Sequence, residues 1–181
     1  MQIIAAAHSQ IHPQTVAAMP HRYSFMFLCL QYQNQQKLLT METANKTSIT
    51  VENTVNAPVE KVWEFWTDPK HITQWNNASD DWHTPRAEND LRTGGKFTAR
   101  MEAKDGSFGF DFGGVYDDVQ EHRSIAYTMG DGRQVKIDFT PQGNATKVSE
   151  TFDAESSNSI ELQRTGWQAI LDNFKKYTEA N

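Results

Sequence analysis

From Thr47 to Val55 polar and apolar residues alternate, with Ile49, Val51 and Val55 on one parity and Asn53 interrupting, and this predicts a first strand. The strand ends at Asn56-Ala57-Pro58. Residues 58–67, PVEKVWEFWT, then set Val59, Val62, Trp63 and Trp66 three and four apart, which predicts a helix with one apolar stripe and Pro58 in its first turn. Asp68-Pro69 reads as a cap followed by proline, opening a second short helix that carries Ile72 and Trp75 inward.

The segment 96–114, KFTARMEAKDGSFGFDFGG, holds Asp105-Gly106, a two-residue hairpin signal. Counting outward pairs Ala103 with Phe108, Met101 with Phe110, Ala99 with Phe112 and Phe97 with Gly114, so one face is apolar throughout. The opposite face pairs Glu102 with Gly109, Arg100 with Asp111 and Thr98 with Gly113. A one-residue slip would turn every Phe to the wrong side, so the register is strongly specified. Gly113-Gly114 marks an expected bulge or bend. Short strands at 116–119, 125–129, 135–139 and 146–153 follow as an antiparallel meander. A final helix over 158–177 begins with Asn158 as cap and Glu161 completing a capping box, and turns Gln163, Gly166, Trp167, Ile170, Leu171 and Phe174 inward. The fold class is α+β: a curved antiparallel sheet of about six or seven strands around a long C-terminal helix, with two short helices after the first strand.

Composition changes near Met41. Residues 1–40 hold only Arg22 and Lys37 as charged residues, leaving 15 basic against 23 acidic positions beyond them. Residues 1–45 are therefore expected to be a poorly ordered or mis-annotated extension, and 46–181 the folded domain. The apolar patch at 25–30 is too short, and too poorly flanked, for a signal peptide. No run reaches the ~18 apolar residues of a membrane span. The net charge of -6 disfavours a nucleic-acid partner. Cys29 is alone, so neither an internal disulfide nor a thiolate cluster can form. A cytoplasmic monomer or weak homodimer is expected.

His71, His83 and His122 are far apart and lack ligand spacing, so no metal and no cofactor is expected. His71 reads as a surface or capping residue, and His83, following Trp82, as a loop residue in preference to one lining a cavity mouth. Arg100 and Asp111 read as an outer-face ion pair. Glu150 shares the parity of Val148 and Phe152. It either projects into the interior, where burial would raise its pKa, or escapes to solvent from a bulged strand. Gly166, costly in a helix by about 1 kcal/mol, points to close approach by the sheet or by a ligand. Trp63, Trp66, Phe97, Phe110, Phe112 and Trp167 either fill a concave core or leave a pocket between them.

Three blocks, NAPVEKVWEFWTDPKHITQW (56–75), DLRTGGKFTARMEAKDGSFGFDFGGVY (90–116) and ELQRTGWQAILDNFKKY (161–177), resemble the activator-of-Hsp90-ATPase branch of the START-like, polyketide-cyclase-related superfamily, also called SRPBCC. The resemblance implies a helix-grip (Bet v 1-like) sheet closing on the C-terminal helix around an apolar cavity. Members bind lipids, polyketides, aromatic compounds or plant hormones, and some are enzymes. The expected ligand site comprises Trp63, Trp66, Phe97, Met101, Phe110, Phe112, Ile137, Glu150, Phe152, Gly166, Trp167 and Ile170. The expected function is binding of a hydrophobic or aromatic small molecule. The alternatives are a chaperone-contacting module and a cyclase or hydrolase using Glu150.

Overall fold

A computed structural model describes residues 47–181. The expectation for residues 1–45 lies outside the described residues. The elements run β1 (Ser48–Val55), α1 (Val59–Thr67), α2 (Pro69–Trp75), β2 (Trp82–Asn89), β3 (Lys96–Ala103), β4 (Gly109–Gln120), β5 (Ser124–Met129), β6 (Gln134–Gln142), β7 (Ala145–Asp153) and α3 (Ile160–Ala180). All seven strands join one antiparallel sheet in the order β1-β7-β6-β5-β4-β3-β2. The α+β helix-grip class follows: a curled sheet, two short helices after β1, and a long helix against its inner face.

The inward parity of the strands builds the core. Ile49, Val51 and Val55 of β1, Ile125 and Tyr127 of β5, Val135, Ile137 and Phe139 of β6, and Val148 and Phe152 of β7 are all buried. Leu171 and Phe174 close it from α3. The position of α3 is set by more than apolar contact. β1 is an edge strand, and an edge presents unpaired carbonyls. Arg164 Nη1 donates to Thr50 O at 2.8 Å, Gln168 Nε2 to Glu52 O at 3.3 Å and Lys175 Nζ to Thr54 O at 2.6 Å. Every second carbonyl of β1 therefore receives a side chain from α3, which ties the helix to the sheet and blunts the edge.

The β3–β4 register is the expected one, with Met101 opposite Phe110, Ala99 opposite Phe112 and Phe97 opposite Gly114. Its turn differs. Ala103 N donates to Phe108 O and Gly106 N to Ala103 O, both at 2.9 Å, so the loop is the four residues Lys104 to Ser107 with Gly106 at φ 74°. Two added loop residues preserve parity, which is why the register survived the wrong turn. The bulge also moves. Gly113 and Gly114 pair regularly, and the β4–β5 register shifts between Tyr116 and Asp118 instead. Both glycines serve close approach, because a Cβ at Gly113 would lie 2.5 Å from Phe97 O and one at Gly114 2.6 Å from Thr128 O.

Four further expectations are corrected. β2 is a strand where a loop was read, with Pro85 at a register irregularity on the sheet's other edge, where its missing N–H costs no ladder bond. Ser159, not Asn158, caps α3 by accepting from Leu162 N at 3.2 Å, so Glu161 completes no capping box. Pro58 is the cap of α1 rather than its first helical residue. Phe65 of α1 is buried beyond the expected stripe, because α2 folds back over it: its ring stacks on His71 at 3.9 Å and its carbonyl accepts from Trp75 Nε1 at 3.0 Å.

Candidate functional site

Between the inner face of the sheet, α2 and α3 lies a cavity of about 210 Å³. Nine of the twelve expected residues line it: Trp66, Phe97, Met101, Phe110, Phe112, Ile137, Glu150, Trp167 and Ile170. The hairpin supplies the largest share of the wall, since its register puts Phe97, Ala99, Met101, Phe110 and Phe112 on the same side. Phe110 is both a lining residue and 43% exposed, which places it at the mouth.

Three expected residues stand elsewhere. Trp63 packs edge-on against Phe139 at 5.3 Å and His122 at 5.7 Å, inside solid core. Phe152 lies behind the wall, its ring stacked on Trp167 at 3.9 Å, where it orients the indole that does face the space. Gly166 does not line the cavity, and a Cβ there would meet nothing within 4 Å, so neither helix–sheet packing nor the cavity explains the glycine. A helix face spans two turns of neighbours. Helical spacing alone could not separate Gly166 from Trp167.

The structure adds lining residues that the sequence reading passed over, above all Trp75, Tyr116 and Tyr127. Trp75 falls on the inward side of the short second helix, as its spacing from Ile72 predicts, but outside the expected ligand site. Tyr127 and Tyr116 carry the same alternation as their strands and oppose each other across β4 and β5, so parity was the available signal. Tyr116 donates to Asn89 Oδ1 at 2.8 Å, and Asn89 in turn donates to Thr67 O at 2.6 Å, a chain that ties β4 through β2 to the end of α1.

Glu150 is the chemically distinctive residue. It is buried, lines the cavity, and has Val51 and Ile137 as its two cross-strand neighbours. Neither partner can offer its carboxyl a hydrogen bond, and among the described residues none does. Burial pushes its pKa up to about 8, against 4.5 for an ordinary glutamate. Burial also raises the Tyr127 phenol well above its ordinary value, and the nearby Glu150 charge raises it further. No Lys, Arg or His among the described residues lines the space.

The remaining charged candidates are structural. Arg100 contacts Glu102 at 2.7 Å and Asp111 at 3.5 Å on the outer face, as the hairpin count required. His83, on strand β2, lies 3.7 Å from Glu102. His71 is not a surface residue: only 13% of its side chain is exposed, and its Nδ1 shares a hydrogen bond of 2.8 Å with Tyr177 Oη. Sequence spacing missed that Glu64, Asp68 and His71 bring three ligand-type atoms within 4.8 Å of one another. Lys70 Nζ already lies 3.0 Å from Asp68 and 3.7 Å from Glu64, so an internal ammonium balances the two carboxylates.

A curled sheet gripping a long helix around an apolar space defines the helix-grip class. Residues 56–179 match the family model for Activator of Hsp90 ATPase homolog 1-like proteins, and the chain belongs to that family. The solution structure of an AHSA1-like protein from Aeromonas hydrophila is similar, at 46% identity over 74% of this chain and 93% of that one, with a TM-score of 0.70. A solution structure from Cytophaga hutchinsonii is 57% identical over the same shares, with a TM-score of 0.65. A crystal structure from Nitrosomonas europaea shares the fold at 17% identity, covering 74% of this chain and 94% of that one, with a TM-score of 0.63. No curated protein matches the chain. Among the described residues, no helix is long and apolar enough to cross a membrane.

Proposed function

We propose that this protein binds a compact apolar or aromatic small molecule in the cavity between the sheet and α3. The observation that carries the reading is an open space of about 210 Å³ walled by Trp66, Trp75, Trp167, Phe97 and Phe112 in a domain whose other aromatics interlock. Apolar cavities of about 150 Å³ accept benzene, and drug-sized ligands occupy roughly 300–1,000 Å³. The space therefore suits one or two rings better than a complete lipid. No described Lys, Arg or His lines it, which disfavours a free fatty-acid anion that would have to bury its charge beside Glu150.

Three tryptophans in the wall make occupancy visible. Titration with aromatic hydrocarbons, phenols and flavonoid fragments should give a saturable change in tryptophan fluorescence. A ligand at one hundred times its Kd should also add about 2.7 kcal/mol of stability, seen as a raised Tm. A panel that leaves both signals flat would remove the binding reading. The catalytic alternative has Glu150 as its support, and it requires turnover that Glu150→Gln abolishes while the fold persists.

A further inference from the structure

Glu150 and Tyr127 sit on the same inner face, two strands apart and two residues along: Glu150 opposes Ile137, Ile137 opposes Ile125, and Tyr127 follows on β5. Both line the cavity, and no described residue hydrogen-bonds either the carboxyl or the phenol. Buried polar groups in native proteins are nearly always paired, so two unpaired ones facing one space call for an outside partner. From the cavity wall, with the unpartnered carboxyl of Glu150 and phenol of Tyr127, we infer that the ligand bears a neutral hydrogen-bond-accepting oxygen, of the ketone or ester kind, which Glu150 engages as a protonated acid while Tyr127 offers a second donor. This inference rests on the binding function proposed above and specifies its ligand.

The surroundings of Glu150 favour the acid form. Val51 opposes it from β1 and Ile137 from β6; Trp167 and Ile170 of α3, Trp75 of α2 and Asn76 just after it line the same space, and none of them carries charge. The other titratable groups on this side are Tyr127, Tyr116 and Glu88, with Arg133 near enough to act on Tyr127; Glu88, from β2, is largely exposed and lies 4.0 Å from Arg86. Its pKa of about 8 leaves the carboxyl mostly protonated at neutral pH. A carboxylic acid kept neutral by an apolar site, beside a tyrosine, is a known arrangement for donating hydrogen bonds to a carbonyl oxygen. A ligand carrying an ammonium group is the competing chemistry, because aromatic walls attract cations. It would have to strip the proton from Glu150 and bury two charges.

The two predict opposite pH dependence. For an acceptor ligand, affinity is full below the folded pKa of Glu150 and falls as pH rises through about 8. For a cation, it rises with pH until the amine itself deprotonates.

The test uses four probes of one shape: 2-acetylnaphthalene, 2-ethylnaphthalene, 2-naphthoate and 2-(aminomethyl)naphthalene, titrated from pH 6 to 9.5 by tryptophan fluorescence and calorimetry. The ketone should bind at least tenfold tighter than the hydrocarbon at pH 6.5, and that advantage should shrink above pH 8. Glu150→Gln, which keeps an N–H donor, should retain the preference and lose its pH dependence. Glu150→Met should bind ketone and hydrocarbon alike, the hydrocarbon serving as control for an intact cavity. Hydrocarbon binding with no ketone preference, or a preference that Glu150→Met leaves unchanged, overturns this inference while the binding function stands. Tightest binding by the amine, growing with pH, overturns it in favour of a carboxylate anchor. If no probe binds, both readings fall.

Discussion

Strand β7 turns two buried polar residues to the same inner face, Thr146 and Glu150, four positions apart, and the sheet treats them differently. Thr146 lies where β7 passes under the β1–α1 connection, and its hydroxyl donates to Ala57 O at 2.9 Å. Around it the core is solid: Trp63 and Trp66 both meet Phe139 edge-on, and Val148 and Val55 are fully buried. Glu150 lies four strand residues, about 13 Å, further along, where α2 and α3 face the sheet across the cavity and Trp66 of α1 borders it. There the same kinds of side chain line an opening. A polar group satisfied from within belongs to the architecture, whereas one left facing open space is available to a ligand.

That contrast breaks most sharply on pH. Glu150 has a folded pKa of about 8 against an ordinary 4.5, so the native state holds its proton more tightly than the unfolded chain does. Its contribution is neutral below about pH 4.5, becomes destabilising as pH rises from there to 8, and is constant above. At 1.36 kcal/mol per pKa unit the cost reaches at most roughly 5 kcal/mol. Urea unfolding of the parent should show this decline between pH 5 and 9, and Glu150→Gln should be flat through it and more stable at pH 9. A parent whose stability follows the variant at every pH would show that the carboxyl reaches water.

At the solid end the corresponding change is Trp63→Ala, expected to cost about 3–5 kcal/mol through the cavity it leaves. Denaturant midpoints should register it equally with and without a bound aromatic probe. Phe112→Ala, on the half-buried cavity wall, should instead lose ligand affinity out of proportion to stability. Thr146→Val is subtler: it keeps the shape but leaves Ala57 O without its donor, for a loss of about 1–3 kcal/mol. The smallest effect belongs to Gly166. Open space at its Cβ means Ala should gain up to about 1 kcal/mol of helix propensity, and ligand affinity should not change. A melt that falls on Gly166→Ala would place an unseen constraint on that turn of α3.

Much of this was legible along the chain, because alternation specifies a face independently of what covers it. The parity of Phe97, Phe110, Phe112 and Glu150 followed from counting, and the hairpin register held even though its loop proved two residues longer. Strand β2 was not legible. WHTPRAEN shows no apolar alternation, since an edge strand held by β3 alone needs little buried surface to pair. Asn158 and Ser159 are adjacent polar residues with equal claims to a cap, and only the turn's closure chose Ser159.

The sequence by itself determined which residues face inward, because side-chain direction in strands and helices is periodic and local. Whether inward meant packed or open was decided in three dimensions. Trp63 and Trp66 share a stripe on α1, yet one is wedged against His122 and Phe139 and the other borders the cavity. Phe152 and Glu150 share a face of β7, yet the Trp167 ring covers the first and no described residue partners the second. The tilt and standoff of α3 from the sheet make that difference. They are set by side chains reaching backbone carbonyls of β1 more than a hundred residues earlier in the chain, contacts that no local pattern encodes.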